Sequence, residues 1–567
     1  MRHFSVLLLC SLWLAACAQV PAHPVAEVPQ AEAAQALPNI ELSDDLLYEF
    51  LLAEVASQRG HKALAAEAGA DLAAKTRDPR IAKRAAQLAF ESGNMDKAVE
   101  AVRHWQEIDP EAPLAGHMLS SILLRSGRLD EAQIELARML KDAGANSGGA
   151  FLRVVQLLAP YPDKADALKL MRELAGSYPR IAEAHWSVAQ LAQLAGDGEL
   201  ALAEARQARV LRPEWPMAVA LEAQLLQQDM PQQGLEVLRR YLSDYPEARD
   251  IRLQYARALL QQKQFTQARD EFGRLAEGDP GNPDLAFAIA MISLQLNDLQ
   301  AAETQLRRSL EKGGKGQDAA QYFLGQLSEA KKDDDEALAR YRKVQGGEYR
   351  FAAQLRVAYL LNKGGKLEEA LVQLHGTEAA DNQQRVQLLL LEAQLLREAK
   401  RTEDAYRVLR DGLAKLPNHP DLLYETAMYA EKTGNFREFE KLVRKLIQLK
   451  PDHAQAYNAL GYSLLERNER IAEALQLVEK ALHLAPGDFA IMDSVGWGYY
   501  RSGRLDESVE MLRRSFAGNP DPEIASHLGE VLWMRGEREE AQKIWQDSLK
   551  AHPNNELLQA VLKRFIP

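Results

Sequence analysis

Proline spacing is the strongest constraint on the fold of this chain. Pro179, Pro213, Pro246 and Pro280 lie 34, 33 and 34 residues apart, and Pro417, Pro451, Pro486, Pro520 and Pro553 lie 34, 35, 34 and 33 apart. Proline removes a backbone donor and clashes with the preceding helical turn, so a proline at fixed period stops a helix at fixed period. Between these stops the apolar residues recur at helical spacing, and no segment alternates in the strand period. Such a period predicts a repeated helix-turn-helix unit. A single unit cannot bury its apolar stripe, so only stacking on neighbours makes a core.

Small residues recur in step with the prolines. Leu460-Gly461 is followed by Ala474 and Pro486, Val495-Gly496 by Ser508, Leu512 and Pro520, and Leu528-Gly529 by Ala541, Trp545 and Pro553. Upstream, Ala256 pairs with Ala268 and Phe272, and Leu324-Gly325 with Ala337 and Tyr341. A small side chain on each helix lets the two axes of a unit approach closely. This pattern resembles the tetratricopeptide repeat (TPR). The resemblance covers about nine-tenths of the chain, as about fifteen units between residues 45 and 555. It implies an all-α TPR solenoid, a right-handed superhelix with an inner groove, assigned to residues 40–555 and closed by a capping helix in 556–567. Ser147-Gly148-Gly149 and Gly313–Gly316 are expected as longer loops between units.

The amino terminus carries a different signal. Arg2 and His3 precede an apolar run, Phe4 to Leu14, with small residues before Cys17. This is the layout of a secretory signal over residues 1–16, and the run is too short to span a bilayer permanently. Leu14-Ala15-Ala16-Cys17 resembles the bacterial lipobox, which implies lipidation of Cys17 after cleavage. An ordinary cleaved signal followed by a chance cysteine is the alternative. Cys10 and Cys17 are the only cysteines in 567 residues, so neither a structural disulfide nor a thiolate metal site is expected. Ala18, where lipoproteins retained in the inner membrane often carry Asp, points to the outer membrane facing the periplasm. Pro21, Pro24, Pro29 and Pro38 make residues 17–39 a tether, reaching about 3.1 Å per residue where extended.

Chemistry-bearing motifs are scarce. The sequence has no H-E-x-x-H, G-x-S-x-G or phosphate-loop motif, and its twelve histidines are scattered singly. Ser309–Lys312 matches S-x-x-K without its companion motifs, and Asp333-Asp334-Asp335 reads as helix-start charge. No cofactor, metal or catalytic residue is expected. The formal net charge is -12 with signs mixed along nearly every predicted helix, which argues against nucleic acid as a partner.

The resemblance also indicates which residues face inward. On the first helices of the last units these are Tyr424 and Met428, Asn458 and Tyr462, Trp497, Tyr500 and Arg501, and Trp533. Rings and an arginine on one surface make a candidate protein-binding groove; the alternative is that some rings pack between helices. The equivalent places in the 249–282 unit, Asp250, Leu253, Arg257, Leu260 and Gln261, are less aromatic. The basic clamp by which some TPR proteins hold acidic tails is missing, with Asn458 and Tyr462 at its place.

Length, lipobox and repeat count together resemble the TPR lipoprotein adaptors of Gram-negative bacteria, the Pseudomonas type included, that pair with carboxyl-terminal-processing proteases. That resemblance implies a non-catalytic scaffold, anchored in the membrane by its lipid, that presents cell-wall hydrolases to a periplasmic protease. Scaffolding of outer-membrane protein assembly or export, and activation of cell-wall synthases, are the alternatives.

Overall fold

The computed structural model describes residues 37–311, 313–314 and 316–566. The signal segment 1–16, Cys17 and most of the tether lie outside the described residues. Among those described there are thirty-one α-helices and no strand. Within Met1–Gln264 and within Phe265–Pro567 successive helices pack on their neighbours, and Glu556–Phe565 is the last described helix.

The local reasons are repeated from unit to unit. First helices often start at an Asp or Asn whose side chain accepts a backbone N–H, as Asn282, Asp488 and Asp521 do. The turn inside a pair is closed by a residue in the left-handed region, for instance Gly503 (φ 83°) and Gly536 (φ 101°). The periodic prolines sit in the turns after the second helices. Asp333 caps its helix by accepting from the Glu336 N–H, which accounts for the Asp333–Asp335 run.

The small residues do the work their spacing implies. Gly461 lies against Ala474 and Val478, Gly496 against Leu512, and Gly529 against Trp545. Any larger side chain there would push the two helices of the pair apart. Ser508 Oγ donates to the Gly496 carbonyl at 2.7 Å, fastening the same contact.

One expectation is corrected. Ser147-Gly148-Gly149 forms no loop but opens the helix Ser147–Leu158, after a short 3-10 turn at Gly144–Asn146. The Ser147 hydroxyl donates to the Gly144 carbonyl and Gly148 packs close to Glu183, so the glycines serve close approach. Gly313–Gly316 does separate two helices, Leu299–Glu311 and Gln317–Ala330.

The chain divides into two compact units, Met1–Gln264 and Phe265–Pro567. In the first, an apolar core runs from Ala66 to Leu221, with Trp105, Phe151, Met171 and Trp186 among its larger members. In the second, a core runs from Leu371 to Leu558, with Phe439 and Trp545 fully buried. Near the end of the second unit the first helices also touch one another in succession: Ala454–Glu466, Phe489–Arg501, Pro522–Arg535 and Glu556–Phe565. Successive second helices do not come together to that extent. First helices therefore line the tighter side of these repeats, and their side chains meet across repeats.

Candidate functional site

Trp497 lies at the centre of this crowded side. Its ring stacks on the His527 imidazole (centroids 4.2 Å, 20°) and tilts against Tyr500 at 4.9 Å. The Arg501 guanidinium stands 5.8 Å from the same ring. Only 5% of Trp497 is exposed, and its Nε1–H is buried without a partner among the described residues. So Trp497 packs between helices, whereas Tyr424, Met428, Asn458, Tyr462, Tyr500, Arg501 and Trp533 are half-buried and keep part of their surface open.

Around the ring lies a polar network that the sequence reading did not single out. Asp493 and His527, 34 residues apart and both buried, face each other from neighbouring first helices. His527 Nδ1 donates to both carboxylate oxygens of Asp493, at 2.9 and 3.1 Å. Burial alone would push the imidazole pKa down, but Asp493, with Glu523 and Glu466 beyond it, outweighs burial and holds it above its ordinary value. Tyr462 donates its hydroxyl to Glu523 Oε1 at 2.5 Å, spanning two repeats. Burial and that carboxylate push the Tyr462 phenol well up. Tyr500 donates to the buried Glu530 at 3.4 Å, and Arg564 of the terminal helix reaches the same carboxylate at 3.5 Å. The serines adjoining the pair in sequence, Ser494 and Ser526, donate to carbonyls of their own helices.

The flanking predicted residues divide between packing and exposure. Tyr424 lies 5.4 Å from the His453 ring, and burial raises its pKa. Asn458 Oδ1 is buried with no partner. Trp533 stacks at 6.0 Å on fully buried Trp545 and touches Phe565 at 5.8 Å, while Arg538 stands 5.1 Å from its ring. Aromatic surface, buried carboxylates and arginines here can hold a polypeptide by stacking and by charge-assisted hydrogen bonds. Among the described residues no group of His, Cys, Asp or Glu has a metal-binding arrangement, and no helix is long and apolar enough to cross a membrane.

A second concave region, also missed, lies earlier in the same unit. First helices Gln317–Ala330, Arg350–Lys363, Asn382–Glu398 and Pro420–Lys432 enclose a cleft of about 570 Å³. Its walls include Tyr322, Arg356, Tyr359 and Arg397 over a floor with Leu390 and Leu391. Arg356 is ion-paired with Glu329, which also accepts the Tyr341 hydroxyl at 2.6 Å, and lies 4.6 Å from the Tyr359 ring. Arg397 is exposed at the cleft and forms no ion pair among the described residues.

Comparison with known proteins agrees with this architecture. Two tetratricopeptide repeat family models match, one over residues 225–278 and 259–327, the other over 430–489 and 496–556. The TPR repeat-containing protein PA4667 of Pseudomonas aeruginosa is 32% identical over 489 residues, covering 86% of this chain and 82% of that protein. Cellulose synthase operon protein C of Pseudomonas fluorescens is 24% identical, covering 79% of this chain but only 36% of its own length. Among solved structures, the APC/C hetero-tetramer Cut9-Hcn1 is 14% identical with a TM-score of 0.34, covering 92% of this chain and 97% of the matched one. A tetratricopeptide repeat protein from Parabacteroides merdae is 17% identical with a TM-score of 0.36, covering 44% and 99%.

Proposed function

We propose that the chain, which belongs to the tetratricopeptide-repeat family together with PA4667 of Pseudomonas aeruginosa, is a lipid-anchored adaptor that holds a periplasmic carboxyl-terminal-processing protease and its cell-wall hydrolase substrates together. Members of the family bind protein partners through the faces of their stacked helices, and that coarser role rests on the family itself. The observation that carries the choice of surface is the run of half-buried rings and charges on successive first helices, from Tyr424 to Trp533. Rings that are partly packed and partly open are pre-organised, so a partner loses little entropy by docking on them.

The finer role draws on other features. Leu14-Ala15-Ala16-Cys17 supports an acyl anchor, and Ala18 supports the outer membrane. Length, anchor and repeat number together support the protease-adaptor reading. An adaptor of this kind needs no catalytic group: binding protease and substrate on one molecule raises their mutual concentration to about millimolar where the links are short.

Affinity purification of the full chain from detergent-solubilised envelope tests the reading. Recovery of a serine protease and a cell-wall hydrolase supports it; recovery of outer-membrane assembly proteins or of cell-wall synthases instead would overturn it in favour of those roles. Cys17→Ser should shift the chain out of the membrane fraction, and unchanged membrane recovery of that variant contradicts the anchor.

A further inference from the structure

The helix Asp44–Gln58 opens the described part of the chain and, among the described residues, has neighbours on one face only. Ala53 and Ala56 are buried against Ala65 and Ala68 of the next helix, Lys62–Thr76. The opposite face carries Leu47, Tyr48, Leu51 and Val55, which are 42, 66, 51 and 42% exposed. These positions fall in one stripe along about 12 Å of helix, an apolar surface open for a partner to cover. The last described helix is treated differently: in Glu556–Phe565, Leu558 is fully buried and Phe565 stacks on Trp545 at 5.5 Å.

Charge along the opening helix identifies the occupant. Its amino-terminal end is acidic, with exposed Glu41, Asp44 and Asp45, and its carboxyl-terminal end is basic, with exposed Arg59 and Lys62. None of these five forms an ion pair among the described residues. Helices that lie on membranes carry Lys and Arg along their polar face, not carboxylates at the leading end. An antiparallel copy of the same helix fits both patterns. With the twofold axis at Leu51, Leu47 meets Val55 of the second copy, Leu51 meets Leu51, and Asp44 and Asp45, opposite Gln58 and Ser57, come within one turn of Arg59. Such an isologous contact is self-complementary in apolar surface and in charge.

We propose that two copies of this chain associate through antiparallel pairing of their Asp44–Gln58 helices about Leu51. The pairing does not depend on the identity of the protease or its substrates.

Cysteine crosslinking tests it directly, because Cys10 and Cys17 are the only native thiols. In the full chain carrying Cys10→Ser and Cys17→Ser, Leu51→Cys should give a disulfide-linked dimer under mild oxidation, while Leu47→Cys should crosslink at least tenfold less. Leu47→Cys mixed with Val55→Cys should recover the dimer. Reversing charge with Asp44→Lys and Asp45→Lys should weaken association at least tenfold in sedimentation, and adding Arg59→Glu should restore it. Circular dichroism on each variant confirms that helix content is kept. A chain that stays monomeric at 100-fold above its working concentration overturns the proposal. So does Leu51→Cys that fails to self-crosslink, or stripe residues that photolabel only with lipid.

Discussion

Truncating Trp497 to alanine distinguishes a packing ring from a surface anchor. The ring is 5% exposed, stacked on His527 at 4.2 Å and against Tyr500 at 4.9 Å. Removing a ring so enclosed costs about 3–5 kcal/mol. Loss of the Arg501 contact adds about 0.5–1 kcal/mol, while deleting the unpartnered Nε1–H returns about 1 kcal/mol or more. The net expectation for Trp497→Ala is a destabilisation of about 3–4 kcal/mol. In a repeat array each unit leans on its neighbours, so the loss should fall on residues 454–566 first. Trp497→Phe keeps a ring against His527 and sheds the unpartnered donor, and should cost about 1.5 kcal/mol or less. Hydrogen exchange read by peptide would show protection lost across the last repeats in Trp497→Ala and largely kept in Trp497→Phe. If Trp497→Ala melts like the parent and loses only partner capture, the ring is a surface anchor and the packing argument is wrong.

Two further perturbations follow from the same geometry. The raised His527 pKa means that its bond to Asp493 contributes fully below the ordinary value near 6.5 and is lost as pH rises through the higher folded value. The melting temperature should therefore fall as pH rises above 6.5 through that value, and Asp493→Asn should flatten the dependence; a parent chain with no such fall contradicts the assigned pair. At Gly529 an added Cβ would collide with the Trp545 indole, so Gly529→Ala should destabilise by about 1–3 kcal/mol. At Gly273, in a helix with nothing within 4 Å, Gly273→Ala should stabilise by about 0.5–1 kcal/mol. Chemical denaturation of both variants checks the opposite signs.

The repeat was legible because its causes are local. Proline stops, small residues at helix crossings and capping side chains act within one unit, and a single sequence displays them. The packing of Trp497 was not legible, because it depends on how closely one first helix lies on the next. That angle is set by side chains 34 residues away, such as His527 against Asp493. The spacing of this pair matched the period, but a search for catalytic and metal motifs passes over a buried carboxylate and imidazole on different helices. The cleft lined by Tyr322, Arg356 and Tyr359 was hidden for another reason: its second helices, Asp334–Tyr341 and Leu367–His375, are short and blur the repeat pattern. At Ser147-Gly148-Gly149, glycine's tolerance for close approach was read as a loop.

The proposed adaptor brings a protease and its substrate together and leaves cleavage to the protease. The most direct measurement titrates the purified chain into a fixed mixture of the protease and a cell-wall hydrolase and follows hydrolase cleavage. The expected result is no cleavage by the chain alone, faster cleavage as it is added, and slower cleavage again at large excess, when protease and substrate occupy separate copies. Cleavage by the chain unaided, or a rate indifferent to its concentration, would contradict it.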